Sequence, residues 1–265
     1  TMGKYFAIEQ GFEEDISLAI QDHYLPTSIN SDLPKKPLGA AVALIDKIDM
    51  LVGFFGINEK PTGSKDPFAL RRSAIGLLRI VTENKLSIRL KDLINYSIIT
   101  YKEQNVKFLN ETVDRDVLVF LRERYKNLLK EKKIRNDIIE AVFASNIGND
   151  FLVLHKKCSV VNKNISKYVF KNIIGIYKRA SNILDLESKK IKEEIFGQPE
   201  SFLFKKDEEK NLYSKINEIR QYFTSTKKSE SYEETLKILA EAKNITDNFF
   251  DNVIVNDENL DIKKN

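Results

Sequence analysis

The feature that most restricts how this chain can fold is the placement of its helix breakers. Five of its 6 prolines and seven of its 10 glycines fall within the first 76 residues. Beyond that point Gly148, Gly175 and Gly197 stand far apart, and long stretches contain neither residue. Glycine and proline punctuate secondary structure more strongly than any other residues, so the first third reads as helices joined by shaped loops. The remainder reads as longer helices with polar connections. Apolar spacing agrees. Val117, Phe120, Leu121, Leu128 and Leu129 fall near one stripe, as do Phe170, Ile173, Ile174, Tyr177, Ser181 and Leu184. Leu236, Leu239, Ala240, Lys243 through its stem and Phe250 mark a late helix. The one candidate strand, Asn252 to Asn256, sits where a helix end is equally plausible. The stretch around 224–234, rich in Lys, Glu and Ser, reads as a solvated connection. The expected fold is all-α.

Composition narrows the function classes. Of 265 residues, 42% are hydrophobic and 31% charged, which supplies a real core and argues against disorder. No stretch approaches the roughly 20 apolar residues that span a bilayer, and the start lacks a secretory pattern. A single cysteine, Cys158, and two histidines, His23 and His155, make a disulfide framework or a His/Cys zinc site unpromising. No metal site and no membrane partner are expected, and a reducing, cytoplasmic setting fits best. The formal charge is +4, but it is localised. Residues 1–112 carry 14 basic and 14 acidic side chains, whereas 113–200 carry 18 and 12. A concentrated basic excess points to an anionic partner more strongly than a modest global one.

Residues 53–79 carry the most information. Asp66 before Pro67 reads as a helix start, its carboxylate placed to accept orphan amide hydrogens, with Phe68, Ala69, Ile75, Leu78 and Arg79 continuing the helix. Arg71 and Arg72 project from its first turns. The preceding loop holds Gly56, Gly63 and Ser64, which can present backbone amides to an anion. It is not a nucleotide-binding P-loop, because six residues separate Gly56 from Gly63 and the order that follows is Ser64-Lys65. Ser64, Lys65, Arg71 and Arg72 are the candidate anion-binding group. A rigid turn locking two helices together is the competing structural reading.

These residues resemble a known family. Ala43 to Gly53 (ALIDKIDMLVG), followed by Pro61 to Arg72 (PTGSKDPFALRR), is similar to the signature of the β subunit of bacterial heterotetrameric glycyl-tRNA synthetase. His23-Tyr24-Leu25-Pro26 upstream, Tyr177 to Leu184 downstream and Phe249 to Val255 near the end agree in order. The resemblance implies a C-terminal piece of that subunit: an HD-like helical domain remainder over 1–112, then an anticodon-binding bundle of the arginyl-tRNA-synthetase type over 113–265. It implies glycine tRNA and the α subunit of an α2β2 heterotetramer as partners. It also implies that ATP with magnesium is used in the α subunit, leaving this piece no catalytic residue and no cofactor of its own. The alternative is an HD-type metal-dependent phosphohydrolase. Asp46 or Asp49 could supply that enzyme's distant aspartate, but no His-Asp pair occurs, since Tyr24 follows His23 and Lys156 follows His155. A third reading makes the first portion a scaffold.

RNA contact is expected along one helical stripe, Lys171, Gly175, Lys178 and Asn182, with Arg179 beside it and Gly175 admitting a close approach; the competing structural reading makes Lys171 and Lys178 ordinary solvated charges and Gly175 the site of a helix–helix crossing. The apolar side, including Ile174 and Tyr177, is expected to pack inward. A second basic cluster, with Arg122, Arg124, Lys126, Lys130, Lys132, Lys133 and Arg135, is assigned a supporting, phosphate-contacting role. Tyr125, Tyr168 and Phe170 are candidate platforms for unstacked bases, each of which could equally be core.

Overall fold

The longest early helix follows directly from its sequence. Proline at the first position has no amide to leave unsatisfied, and the twenty residues of α3 (Pro37–Gly56) include Ala43, Leu44, Ile48, Leu51, Val52 and Phe55 at helical spacing, all buried. In the computed structural model, which describes residues 2–145, 150–188, 198–225 and 231–255, every regular element among the described residues is helical. Val253 to Val255 follow the last helix without joining a strand.

The chain divides into two compact units, 1–159 and 160–265. The first is built around α3. Before it lie α1 (Met2–Glu9) and α2 (Glu14–Asp22); after it come α4 (Leu70–Glu83), α5 (Leu90–Glu103), α6 (Val113–Glu131) and α7 (Asn136–Ala144), with α8 (Phe151–Asn164) running past the division. α3 packs against α2, α4, α5 and α6, and α4 against α6. The interior is continuous and apolar: Leu77, Leu78 and Val81 of α4, Ile94 of α5, and Val117, Leu121, Leu128 and Leu129 of α6 are almost wholly removed from water. The break in charge at 112/113 is therefore not a break in packing, because the apolar stripe of α6 is buried against α3, α4 and α5. Two glycines let neighbours approach α3 closely. A Cβ on Gly53 would lie 2.6 Å from the Tyr101 hydroxyl, and one on Gly56 would lie 2.5 Å from the Phe108 ring.

The second unit holds α9 (Tyr168–Ser188), a 3-10 turn (Ser201–Leu203), α10 (Asp207–Ser225) and α11 (Tyr232–Asn252). α11 packs against both α9 and α10. It opens with Ser231, whose side chain accepts the amide hydrogen of Glu233. Among the described residues of this unit only Asn164, Ala242 and Thr246 are buried. Polar links supplement that thin interior: Lys163 with Glu233 at 2.8 Å, Lys215 with Glu218 at 2.9 Å and Glu241 at 3.2 Å, and Lys243 with Asp247.

Candidate nucleic-acid interface

The loop before α4 is a locked structure. Thr62 and Lys65 exchange backbone hydrogen bonds at 3.1 and 2.7 Å around Gly63, whose φ of +46° favours glycine. Asp66 accepts from the amides of Leu70 and Arg71 at 2.8 and 3.0 Å, the capping role expected of it. The helix nevertheless begins at Leu70, not at Pro67. Phe68 stacks on Phe54 of α3 with centroids 4.0 Å apart, and Ala69 at φ +54° breaks the helical path between the two. Arg71 donates to the Gly63 carbonyl at 2.7 Å, which ties the loop to the helix. The α4 N-terminus already holds a carboxylate, so its Leu70 and Arg71 amides are not on offer to an anion. Ser64, Lys65 and Arg72 are exposed.

Arg79 is a structural cation. It is 7% exposed, forks onto Glu83 through Nε and Nη2 at 3.1 Å each, and through Nη1 donates to the Ser28 and Ser31 carbonyls at 2.9 Å each. Lys132 of α6 reaches Glu83 as well, at 2.8 Å. Burial pushes the Glu83 carboxyl up, but Arg79 and Lys132 together hold it below its usual value. Lys47, buried beneath the same region, donates to the His23 carbonyl at 3.0 Å, and burial lowers its pKa.

The basic cluster on α6 disperses once folded. Arg122 donates to the Phe143 carbonyl at 2.9 Å and lies over that ring. Arg124 lies over Phe120 with its guanidinium 5.5 Å from the ring centroid. Lys126 pairs with Glu140, and Arg135 grips Asp137 through two nitrogens. Tyr125, one of the candidate stacking residues, is 1% exposed and belongs to the core.

α9 differs from the expectation in an instructive way. Lys171, Lys178 and Asn182 are exposed as the spacing requires, and among the described residues none has a side-chain partner. Arg179, by contrast, donates to Asp251 at 2.8 Å, lies 3.7 Å from Asp247 and sits over Phe250 at 4.8 Å. Gly175 does not face open space: a Cβ there would meet Lys243 of α11 at 3.6 Å. The side turned to α11 therefore includes Gly175 and Arg179, and Asn172, Ile176 and Ile183, spaced a turn from them, are half-buried. Ile174, Tyr177 and Leu184, expected inside, are 37%, 71% and 57% exposed. Lys171 and Lys178 therefore share their surface with a tyrosine ring. Tyr168, at 74%, is exposed too, whereas Phe170 is half-buried.

Residues 1–144 match the family model described as glycyl-tRNA synthetase beta subunit. The chain belongs to that family. Residues 173–265, which contain most of the exposed stripe of α9, match the model of the DALR anticodon binding domain. Curated members of the family are similar along the whole chain. The glycine–tRNA ligase beta subunit of Clostridioides difficile (strain 630) is 35% identical over 265 residues, all of this chain and 37% of that protein. Those of Rickettsia canadensis (strain McKiel) and Colwellia psychrerythraea (strain 34H / ATCC BAA-681) are 35% and 36% identical over the same 265 residues, or 38% and 37% of their own lengths. The chain thus spans little more than a third of these relatives. Among the described residues no three His, Cys, Asp or Glu side chains come together to hold a metal, and His23 hydrogen-bonds the Ile20 carbonyl through Nδ1. No described helix is long and apolar enough to cross a membrane.

Proposed function

We propose that this chain is the tRNA-recognising portion of a glycine–tRNA ligase β subunit. It binds glycine tRNA, including the anticodon, while an α subunit joins glycine to the tRNA 3′ end with ATP and magnesium. The partner assembly is the α2β2 heterotetramer of the cytoplasm, and the RNA-contacting part lies within 113–265. The observation that carries this reading is the α9 stripe. There Lys171, Lys178 and Asn182 stand exposed without side-chain partners among the described residues, in and beside the segment that matches an anticodon-binding domain. Ammonium groups free of carboxylates can neutralise phosphates, and each phosphate neutralised releases condensed counterions. Arg122, Arg124 and Arg135, already engaged within the fold, have the lesser, supporting share, and Arg179 meets RNA only at the edge of its pairing with α11.

The test is a titration of the purified chain with glycine tRNA and with an anticodon-altered version at two salt concentrations. Tight, salt-sensitive binding that weakens on altering the anticodon supports the reading. Indifference to tRNA in dilute buffer overturns it.

A further inference from the structure

A groove of ≈ 440 Å³ lies in the first unit between the loop at Pro26–Ile29 and the start of α4. Its size is that of a small-ligand site. Both walls are fixed by hydrogen bonds that do not depend on any ligand. Arg79 holds the Ser28 and Ser31 carbonyls, and the Ser31 hydroxyl accepts from the amides of Thr27 and Ser28 at 2.8 and 3.0 Å. Opposite, Asp66 caps α4 and Arg71 holds Gly63. A site whose walls are already ordered loses little entropy on binding.

The lining is of two kinds. Pro26, Ile29, Ile75 and Gly76 are apolar, and Gly76 has no room for a side chain, since a Cβ would meet Lys47 at 2.9 Å and Pro26 at 3.3 Å. The charged lining is Asp66, Arg71 and Arg72. Asp66 turns both oxygens onto backbone amides, and Arg71 is tied to Gly63. Arg72 is exposed and, among the described residues, the one arginine of this groove without a partner. A guanidinium with unspent donors beside an apolar wall suits a ligand that is anionic at one end and flat or apolar at the other.

We infer that this groove takes one nucleotide unit of bound RNA, its phosphate on Arg72 and its sugar or base against Ile29 and Ile75. The inference rests on the RNA-binding reading above and adds to it a contact in the first unit, outside the segment that matches an anticodon-binding domain.

Methyl NMR of the intact chain tests the groove without requiring tRNA. Adenosine 5′-monophosphate should shift the Ile29 and Ile75 methyl signals saturably, and Arg72→Ala, a change at an exposed position, should weaken that binding about tenfold. Unmoved Ile29 and Ile75 signals would overturn the site. Inorganic phosphate binding as well as the nucleotide would overturn the ligand class. In parallel, Arg72→Ala should weaken glycine-tRNA binding and lower its salt dependence. If adenosine monophosphate binds but tRNA affinity ignores Arg72, the groove serves free nucleotides and the RNA assignment fails. If the groove binds its nucleotide while no tRNA binds the wild-type chain, the broader function fails instead.

Discussion

Arg179 of α9 reaches Asp251 of α11 at 2.8 Å while its guanidinium covers the ring of Phe250. Its neighbour Lys178 is exposed and has no side-chain hydrogen bond or ion pair among the described residues. Two adjacent cations thus have different work. Replacing Arg179 with Ala removes a half-exposed ion pair and a cation–π interaction, a loss of about 1 kcal/mol that should appear as a lower melting temperature of the second unit. Lys178→Ala should leave melting unchanged. Equal effects of the two on thermal unfolding would show that the α9–α11 pairing contributes nothing.

Removing Lys171 and Lys178 together should act on RNA binding alone. Each phosphate that is no longer neutralised lowers the slope of log affinity against log salt by roughly 0.7–0.9. The double alanine variant should therefore show a slope reduced by about 1.5, with circular dichroism unaltered. An unchanged slope removes these lysines from the interface.

Tyr177 offers a sharper test, because its ring stands 71% exposed beside Lys178 on the same helix. Stacking one base on such a ring contributes about 1–3 kcal/mol. Tyr177→Ala should weaken tRNA binding about tenfold or more, whereas Tyr177→Phe keeps the π-face and should bind nearly as wild type. Equal losses in both variants would point to the hydroxyl instead.

Arg79 connects α4, the 28–31 loop and, through Glu83, Lys132 of α6. Arg79→Ala leaves two carbonyls and a carboxylate short of donors and should cost about 3 kcal/mol in urea unfolding. Arg79→Lys should recover little, since an ammonium cannot reach all three acceptors in that planar arrangement.

Stability should also fall in mild acid. Burial, then Lys132, depresses the pKa of His155, with Glu83 opposing, and the Tyr125 ring lies with its centroid 6.4 Å from the imidazole. The unfolded chain protonates a histidine near pH 6.5, so below that pH it binds a proton the fold resists. Unfolding free energy should decline as pH drops from about 6.5 through the lower folded value, and His155→Gln should flatten that slope. Glu83, held below its usual value, loses its contribution only in a more acidic window, as pH falls through its folded value.

Helical content, the core stripe of α6 and the Asp66 cap are legible in the sequence because each depends on residues a turn or so apart. Val117, Leu121, Leu128 and Leu129 announce burial by spacing alone. The start of α4 is not legible. It depends on Phe68 finding Phe54, a meeting across the chain that no local propensity contains. The facing of α9 escapes a local reading for a related reason. Ile173, Ile174, Ile176 and Tyr177 spread apolar surface around much of the helix, and only the position of Asp247, Phe250 and Asp251 decides which side is covered. The α6 cluster looks like open cationic surface in the sequence because the acids that meet Lys126 and Lys132, Glu140 and Glu83, lie well away along the chain. The tyrosine beside Lys178 could have been found by asking which aromatic neighbours the cationic stripe most closely.

The scant interior of the α9–α11 bundle, where Ala242 and Thr246 are the buried residues of the central helix α11, has a thermodynamic corollary. Apolar burial there is too small to make the three helices rigid, so they should exchange amide hydrogens through partial openings well below the cost of unfolding the first unit. Concentrated electrolyte should quicken that exchange by weakening the ion pairs that supplement the packing.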